Sequence, residues 1–415
     1  MLPSQIVSHS EKRRFIHVLV LRGGGGHYAT YTALRSVIEQ QQWPWDLEVT
    51  FVDEIGKSSS RQSKALDLYR GVGASSDQFY DFIQKRGLSW IHLLTLHIHK
   101  LLTRMKHAVD VRLLEQAWRQ QMPDLVVSVV PFHNRALWDS VQNVNPEIPV
   151  VTILCDFADC PPAYWIEPKT KNYVICGTEK AAQQARSQGV DATRIIPMSG
   201  LVINPRFYQP ITCDRRMGRQ CLGLDPDRLT GLVLFGANGS QSMVEIARRL
   251  ESLDDQIQLI LLCGRNDAVA SALRQQPTRQ KRLVLGFTED IPDYMHLADF
   301  FIGKPGNVSI SEAIAMKLPV IVERNGFTLP QERYAADWVQ EQEVGLIIPS
   351  FRKIHPAVQT FLDPETFARY QANVAAINNQ AVFEIPAILN QILTTHDPSV
   401  VSPSERTIKL VEQPV

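Results

Sequence analysis

The sequence predicts an α/β protein made of two parallel-sheet units that face each other across a cleft. Three observations carry this. Short runs rich in β-branched residues alternate with stretches of helical spacing along most of the chain. The same device, a buried strand running into a glycine turn and then a helix, occurs near the start and again past the middle, at 15–40 and 231–250. The chain has 415 residues, 44% of them hydrophobic, which is enough for two separate cores at roughly 100–200 residues per domain.

The first unit opens with FIHVLVL at 15–21, a short apolar run that reads as a buried parallel strand. Glycines at 23–26 follow, then HYATYTALRSVIEQ with helical spacing, then a second strand at 47–52. Further strands are expected at 125–130, 150–155 and 172–176, the second placed just after Pro149, where no ladder bond is lost. The second unit starts with the strand 231–235 and a helix over 242–250, followed by strands at 257–263, 283–287, 300–303 and 319–322. Between the units, 204–210 carries two prolines and reads as a linker. The expected organisation is a first domain over 1–203, a second over 204–380, and a C-terminal helix with a flexible tail over 381–415.

Composition narrows the function classes. Lys+Arg and Asp+Glu are equal at 43 each, so nothing draws the chain as a whole to nucleic acid, and none is expected as a partner. The six cysteines include no CxxC and no dense spacing, which fits reduced thiols in the cytoplasm. Cys155 and Cys160 have no His/Cys cluster beside them at zinc spacing. No run of about 18 apolar residues occurs, so a membrane-spanning helix is not expected.

The glycine turns suggest chemistry. Backbone free of Cβ lets a ligand approach closely, and the free amides at a helix start favour an anion. Gly24, Gly26 and Ala29 fit a loose dinucleotide fingerprint, but Asp53 lies further on than the usual ribose-binding acid, and no Gly-Lys-Ser/Thr follows for an ATP phosphate loop. His27 stands where loop becomes helix. It can take a proton from an attacking hydroxyl, donate to a phosphate, or bond backbone. GANGS at 236–240 and GKPGNVSISEAIA at 303–315 repeat the turn-to-helix device. Ser309 and nearby amides suit a phosphate, and Glu312, one turn into the helix, suits a ribose diol or else the helix dipole.

These residues together resemble the GT-B glycosyltransferases, in the branch of monogalactosyldiacylglycerol synthases, processive diacylglycerol glucosyltransferases and the peptidoglycan GlcNAc transferase (family 28-like). The resemblance rests on Gly23 to His27, Cys155-Asp156 with Pro162 and Trp165, Cys263-Gly264-Arg265-Asn266, the run from Gly286 through Glu312 to Pro319, and Gln331-Glu332, all in the family's order. It implies two Rossmann-like parallel-sheet domains facing a central cleft (GT-B). It further implies an inverting enzyme that moves a sugar from a UDP-sugar to a lipid hydroxyl, diacylglycerol or a glycolipid, with no cofactor and no metal.

Carried onto this chain, the resemblance makes His27 the base or a phosphate contact, with Asp156 a second acceptor-side group. Gly236, Asn238, Gly239, Ser240, Val308 and Ser309 would hold the diphosphate, Glu312 the ribose, Gln331 and Glu332 the sugar hydroxyls, and Phe287 the uracil. Gly25, Gly26, Arg265 and Gly306 complete the donor set. Val308-Ser309 replaces the family's Gly-Thr, and Arg333-Tyr334 its Gly-Asn. A UDP-sugar epimerase on the same scaffold, and a binding protein without catalysis, are the competing expectations. Finally, 89–109 alternates apolar residues with Lys100, Arg104 and Lys106 at helical spacing, a pattern that suits an anionic membrane surface or a core helix with a solvated basic side. The expected location is therefore cytoplasmic and peripherally membrane-associated.

Overall fold

The computed structural model describes residues 13–21, 26–52 and 91–396, and for 91–99 and 102 the backbone course alone. Gly23 to Gly25, Trp90 and the C-terminal tail from 397 lie outside the described residues.

The first sheet is built from β1 (Arg14–Val20), β2 (Trp45–Phe51), β3 (Leu125–Ser128), β4 (Val150–Ile153), β5 (Tyr173–Cys176) and β6 (Ile195–Pro197). All pairs are parallel, in the order β2-β1-β3-β4-β5-β6. Helices α1 (Gly26–Gln40), α2 (Ile91–Gln120), α3 (Asn134–Val144) and α4 (Glu179–Ser187) flank it. β3, β4 and β5 are buried throughout, because helices cover both faces of the sheet.

After α5 (Arg215–Cys221), the second sheet comprises β7 (Leu229–Leu234), β8 (Ile257–Leu262), β9 (Arg282–Leu285), β10 (Phe300–Gly303), β11 (Val320–Glu323) and β12 (Gly345–Ile348). Its order is β12-β11-β10-β7-β8-β9, again all parallel. Its helices are α6 (Ser242–Arg249), α7 (Asp267–Gln275), α8 (Ile291–His296), α9 (Asn307–Ala315), α10 (Pro330–Glu341), α11 (Ile354–Phe361) and α12 (Pro364–Ala376). This is the doubly wound order, in which the chain reverses direction across the sheet between β7 and β10. Ligands in such sheets bind outside the carboxyl ends of the strands at that reversal.

One feature departs from expectation. The stretch read as a linker is packed: Pro205–Tyr208 forms a 3-10 turn in which Pro205 and Phe207 are buried, and Tyr208 packs against the cores of both sheets. The prolines suggested a spacer, but the aromatic residues between them anchor the segment. The last described helix, α13 (Ala381–Thr395), returns to the first sheet. Its Val382, Ile385, Leu389 and Ile392 sit in that core, Glu384 accepts from the Ser199 amide at 2.9 Å, and Asn379 just before it donates to the Leu201 carbonyl at 2.8 Å.

Candidate active site

The donor side forms where β7 and β10 end. After β7, the turn 236–240 needs glycine: Gly236 and Gly239 have φ of +70° and +57°, and a Cβ on Gly239 would lie 2.4 Å from the Cys263 carbonyl oxygen. The turn after β8 locks onto it. The Arg265 amide donates to the Ala237 carbonyl at 2.7 Å, and the Asn266 carboxamide to the Asn238 carbonyl at 3.1 Å. Gly264, with φ of +58°, would collide with the Ala237 oxygen at 2.2 Å if it carried a Cβ. Two carbonyl oxygens of the paired turns are thus tied up in holding each other in place.

After β10, Lys304, Pro305 and Gly306 lead into α9. Gly306 is the N-cap and no side chain caps the helix, so its first amides stay open to an anion. Lys304 Nζ binds Glu332 Oε1 at 2.8 Å, and the space a Gly306 side chain would fill lies 3.8 Å from both Glu332 Oε1 and Ser309 Oγ. Glu332 is buried, and the neighbouring Gln331 has a buried Oε1 with no hydrogen-bond partner. Burial pushes the Glu312 carboxyl up to about 8. Unpartnered polar atoms beside an uncapped helix start are what a polyol diphosphate ligand would satisfy.

The opposing side comes from β1, β3 and β4. His27, in the first turn of α1, lies with its ring centroid 5.5 Å from that of Trp165. Burial drags its imidazole down to about 4, against a smaller opposite pull from the Val129 backbone, and Nδ1 is buried without a hydrogen bond of full geometry. Asp156 follows β4. Its Oδ2 accepts from Trp165 Nε1 at 2.7 Å, and its Oδ1 accepts from the Asn307 carboxamide at 2.5 Å. Asn307 belongs to α9, so this bond crosses from one sheet's turns to the other's. Burial pushes the Asp156 carboxyl up to about 7, with Glu332 and Asp159 adding to the shift and the two hydrogen bonds opposing it.

Trp165 is placed by Asp159, which is fully buried and accepts from the Ala163, Tyr164 and Trp165 amides at 2.7–2.9 Å and from Gln188 at 2.7 Å. A second cross-cleft approach brings Gly26 against Val308, whose Cγ2 would lie 3.5 Å from a Cβ at position 26.

Residues 57–203 match the monogalactosyldiacylglycerol (MGDG) synthase family, and residues 230–346 match the glycosyltransferase family 28 C-terminal domain. The chain belongs to the GT-B glycosyltransferases. Among relatives of this glycosyltransferase, a probable monogalactosyldiacylglycerol synthase 2 from Oryza sativa subsp. japonica is 26% identical over 89% of this chain and 79% of its own length. A processive diacylglycerol beta-glucosyltransferase from Bacillus subtilis is 24% identical over 66% of this chain and 69% of its own. Among solved structures, Acinetobacter baumannii MurG superposes with a TM-score of 0.60 at 12% identity, covering 92% of this chain and all of that one. At that identity the likeness establishes the fold.

In this glycosyltransferase the expected residues fall into three groups. Gly26, His27 and Asp156 gather around Trp165 and α9. Gly306, Val308, Ser309, Glu312, Gln331 and Glu332 surround the start of α9. Gly236, Asn238, Gly239, Ser240, Arg265 and Phe287 form the β7–β9 turns, where Ser240 Oγ bonds the Ser242 hydroxyl at 3.2 Å. The Phe287 ring is exposed, and the Arg265 guanidinium stacks on it at 4.4 Å. Gly25 lies outside the described residues. Sequence reading missed Asn307, Lys304 and the orienting role of Asp159. The Pro-Gly-Asn turn was visible, but a bond between residues 151 positions apart leaves no local signal.

Proposed function

We propose that this chain transfers a sugar from a UDP-sugar to the hydroxyl of diacylglycerol, with inversion at the anomeric carbon. The observation that carries the reading is the uncapped start of α9, ringed by unpartnered polar groups and facing His27 and Asp156 across the cleft. The amides of α9 and of the 236–240 turn take the diphosphate, Ser309 adds a hydroxyl, and Lys304 adds positive charge beside Glu332. Glu312 binds the ribose diol, while Gln331 and Glu332 read the sugar hydroxyls. Phe287, with Arg265 on one face, borders the base. Gly25 and Gly26 let the donor approach the first unit closely.

The acceptor oxygen attacks the anomeric carbon as the bond from that carbon to the phosphate oxygen breaks, and UDP leaves with the bonding electrons. The acceptor's proton passes to the His27 imidazole, which burial keeps neutral. Asp156, once ionised, supplies negative charge that favours the cationic character developing at His27 and at the sugar. No metal or cofactor takes part in this scheme, because backbone amides and helix dipole carry the leaving-group charge. The family 28 match favours transfer over epimerisation on the same scaffold.

Acceptor delivery falls to α2. Leu101, Met105 and Val109 are 58%, 73% and 42% exposed and form one row at successive helix turns, beside exposed Arg104 and half-buried Lys100. Among the described residues no helix is long and apolar enough to cross a membrane. The row would rest on the bilayer surface from the cytoplasmic side, with the cations meeting anionic headgroups. Incubation with radiolabelled UDP-galactose and UDP-glucose plus diacylglycerol vesicles tests the reading. A labelled glycolipid is expected. Release of an altered free sugar without acceptor, or no product from any donor, would overturn it.

A further inference from the structure

We propose that Asn307 is a positioning residue that ties the donor-binding helix to the acceptor-side carboxylate. The inference rests on the roles given above to α9 and Asp156.

Asn307 is the first residue of α9 and is buried at 7% exposure. Its Nδ2 donates to Asp156 Oδ1 at 2.5 Å and lies 3.4 Å from the Gln331 carbonyl oxygen, while its Oδ1 is buried with no partner. One carboxamide therefore touches the acid of the first unit, the backbone beside the sugar-reading Gln331, and the open amino end of the helix that takes the diphosphate. A buried amide with half its hydrogen-bonding capacity unused is costly unless a ligand or a neighbour completes it. A hydroxyl of the donor sugar arriving at the same turn can donate to Oδ1, whereas the phosphate oxygens, being acceptors, go to the open amides.

The consequence for Asp156 is electrostatic. Among the described residues its titratable and charged surroundings are Glu332 and Asp159, which both oppose ionisation, with Lys304 held on Glu332, and the Cys155, Cys160 and Tyr164 side chains, whose own ionisation the Asp156 charge opposes. Among the described residues two donors support the carboxylate, Trp165 Nε1 from its own unit and Asn307 Nδ2 from the other. Removing Asn307 leaves the carboxylate with one donor, so ionisation requires a higher pH. Trp165 carries the effect onward, because the same ring that bonds Asp156 packs on His27. The chain of contacts from Asn307 through Asp156 and Trp165 thereby reaches the base.

The test uses the full chain with diacylglycerol vesicles and a UDP-sugar that the wild type transfers. Rate profiles over pH 5–9 are compared for wild type, Asn307→Ala and the isosteric Asn307→Asp, with UDP affinity measured by calorimetry for wild type and Asn307→Ala. Asn307→Ala is expected to lower kcat about 10- to 100-fold, with donor KM and UDP affinity changed less than about threefold, and to move the acid limb up by about one pH unit. Asn307→Asp keeps the shape but sets a second carboxylate against Asp156, and moves the limb further in the same direction. A lower plateau with the limb unmoved in both variants indicates a merely structural role and overturns the proposal, as does unaltered kcat. A wild type that transfers no sugar fails the functional reading instead, a distinguishable result.

Discussion

As the proposed base, His27 would meet the acceptor as a neutral imidazole, because desolvation places its titration near 4. Its readiness at pH 7 does not depend on pH, whereas that of Asp156 does. With the Asp156 carboxyl near 7, the rate is expected to fall about tenfold per unit as pH drops below that value, and Asp156→Asn should flatten the limb at a low plateau. His27→Ala should lower turnover by roughly 10²–10⁴; near wild-type turnover would remove its role as base. Glu312 offers a separate check. Its carboxyl, near 8 in the free protein, is driven toward the carboxylate when ribose hydroxyls donate to it. UDP binding at pH 7 should therefore release protons, seen by calorimetry in buffers of different ionisation enthalpy, and Glu312→Gln should abolish the release while weakening binding. At this scale the sequence offered His27, Asp156 and Glu312 as candidates by residue type and family order. It was silent on pairing at a distance, as in the Asp156–Asn307 bond.

Among the elements, most strands were legible, the edge strands β2 and β9 included, while the edge strands β6 and β12 were not. β1, β7, β8 and β10 are apolar runs ending in glycine turns, and they form within one or two residues of where their patterns place them. β6 has three residues and β12 four, starting at a glycine, too short for any period to register; tertiary pairing makes them strands. The turns matter more than the strands for function. Gly264→Ala combines a positive φ with a collision against the Ala237 carbonyl. It should destabilise the protein by on the order of 2 kcal/mol or more, visible as a lower Tm, and should weaken UDP binding, because the 236–240 turn rests on this contact. Unaltered Tm and UDP affinity would mean that the paired turns do not shape the donor site.

Over the whole molecule, the chain crosses between the sheets at Pro205–Tyr208 and again before α13, so the C-terminal helix completes the first core rather than the second. The alternating pattern made the two-sheet plan readable in advance. It could not assign α13, whose apolar residues would fit either core. Membrane attachment belongs to this scale too. Replacing Leu101 and Met105 by Asp removes two exposed apolar side chains, each contributing on the order of 1.5–3 kcal/mol if fully buried in lipid. Binding to anionic vesicles, measured by flotation, should fall at least about tenfold while UDP affinity holds. Equal flotation of variant and wild type would contradict the membrane role proposed for α2.

The central claim is that main-chain amides at the cleft grip the diphosphate of an activated sugar. A crystal structure with UDP tests it most directly. The account predicts phosphate oxygens within hydrogen-bond distance of the amides at 307–309 and in the 236–240 turn, with the ribose on Glu312. UDP bound elsewhere, or a cleft left empty at saturating UDP, would contradict it.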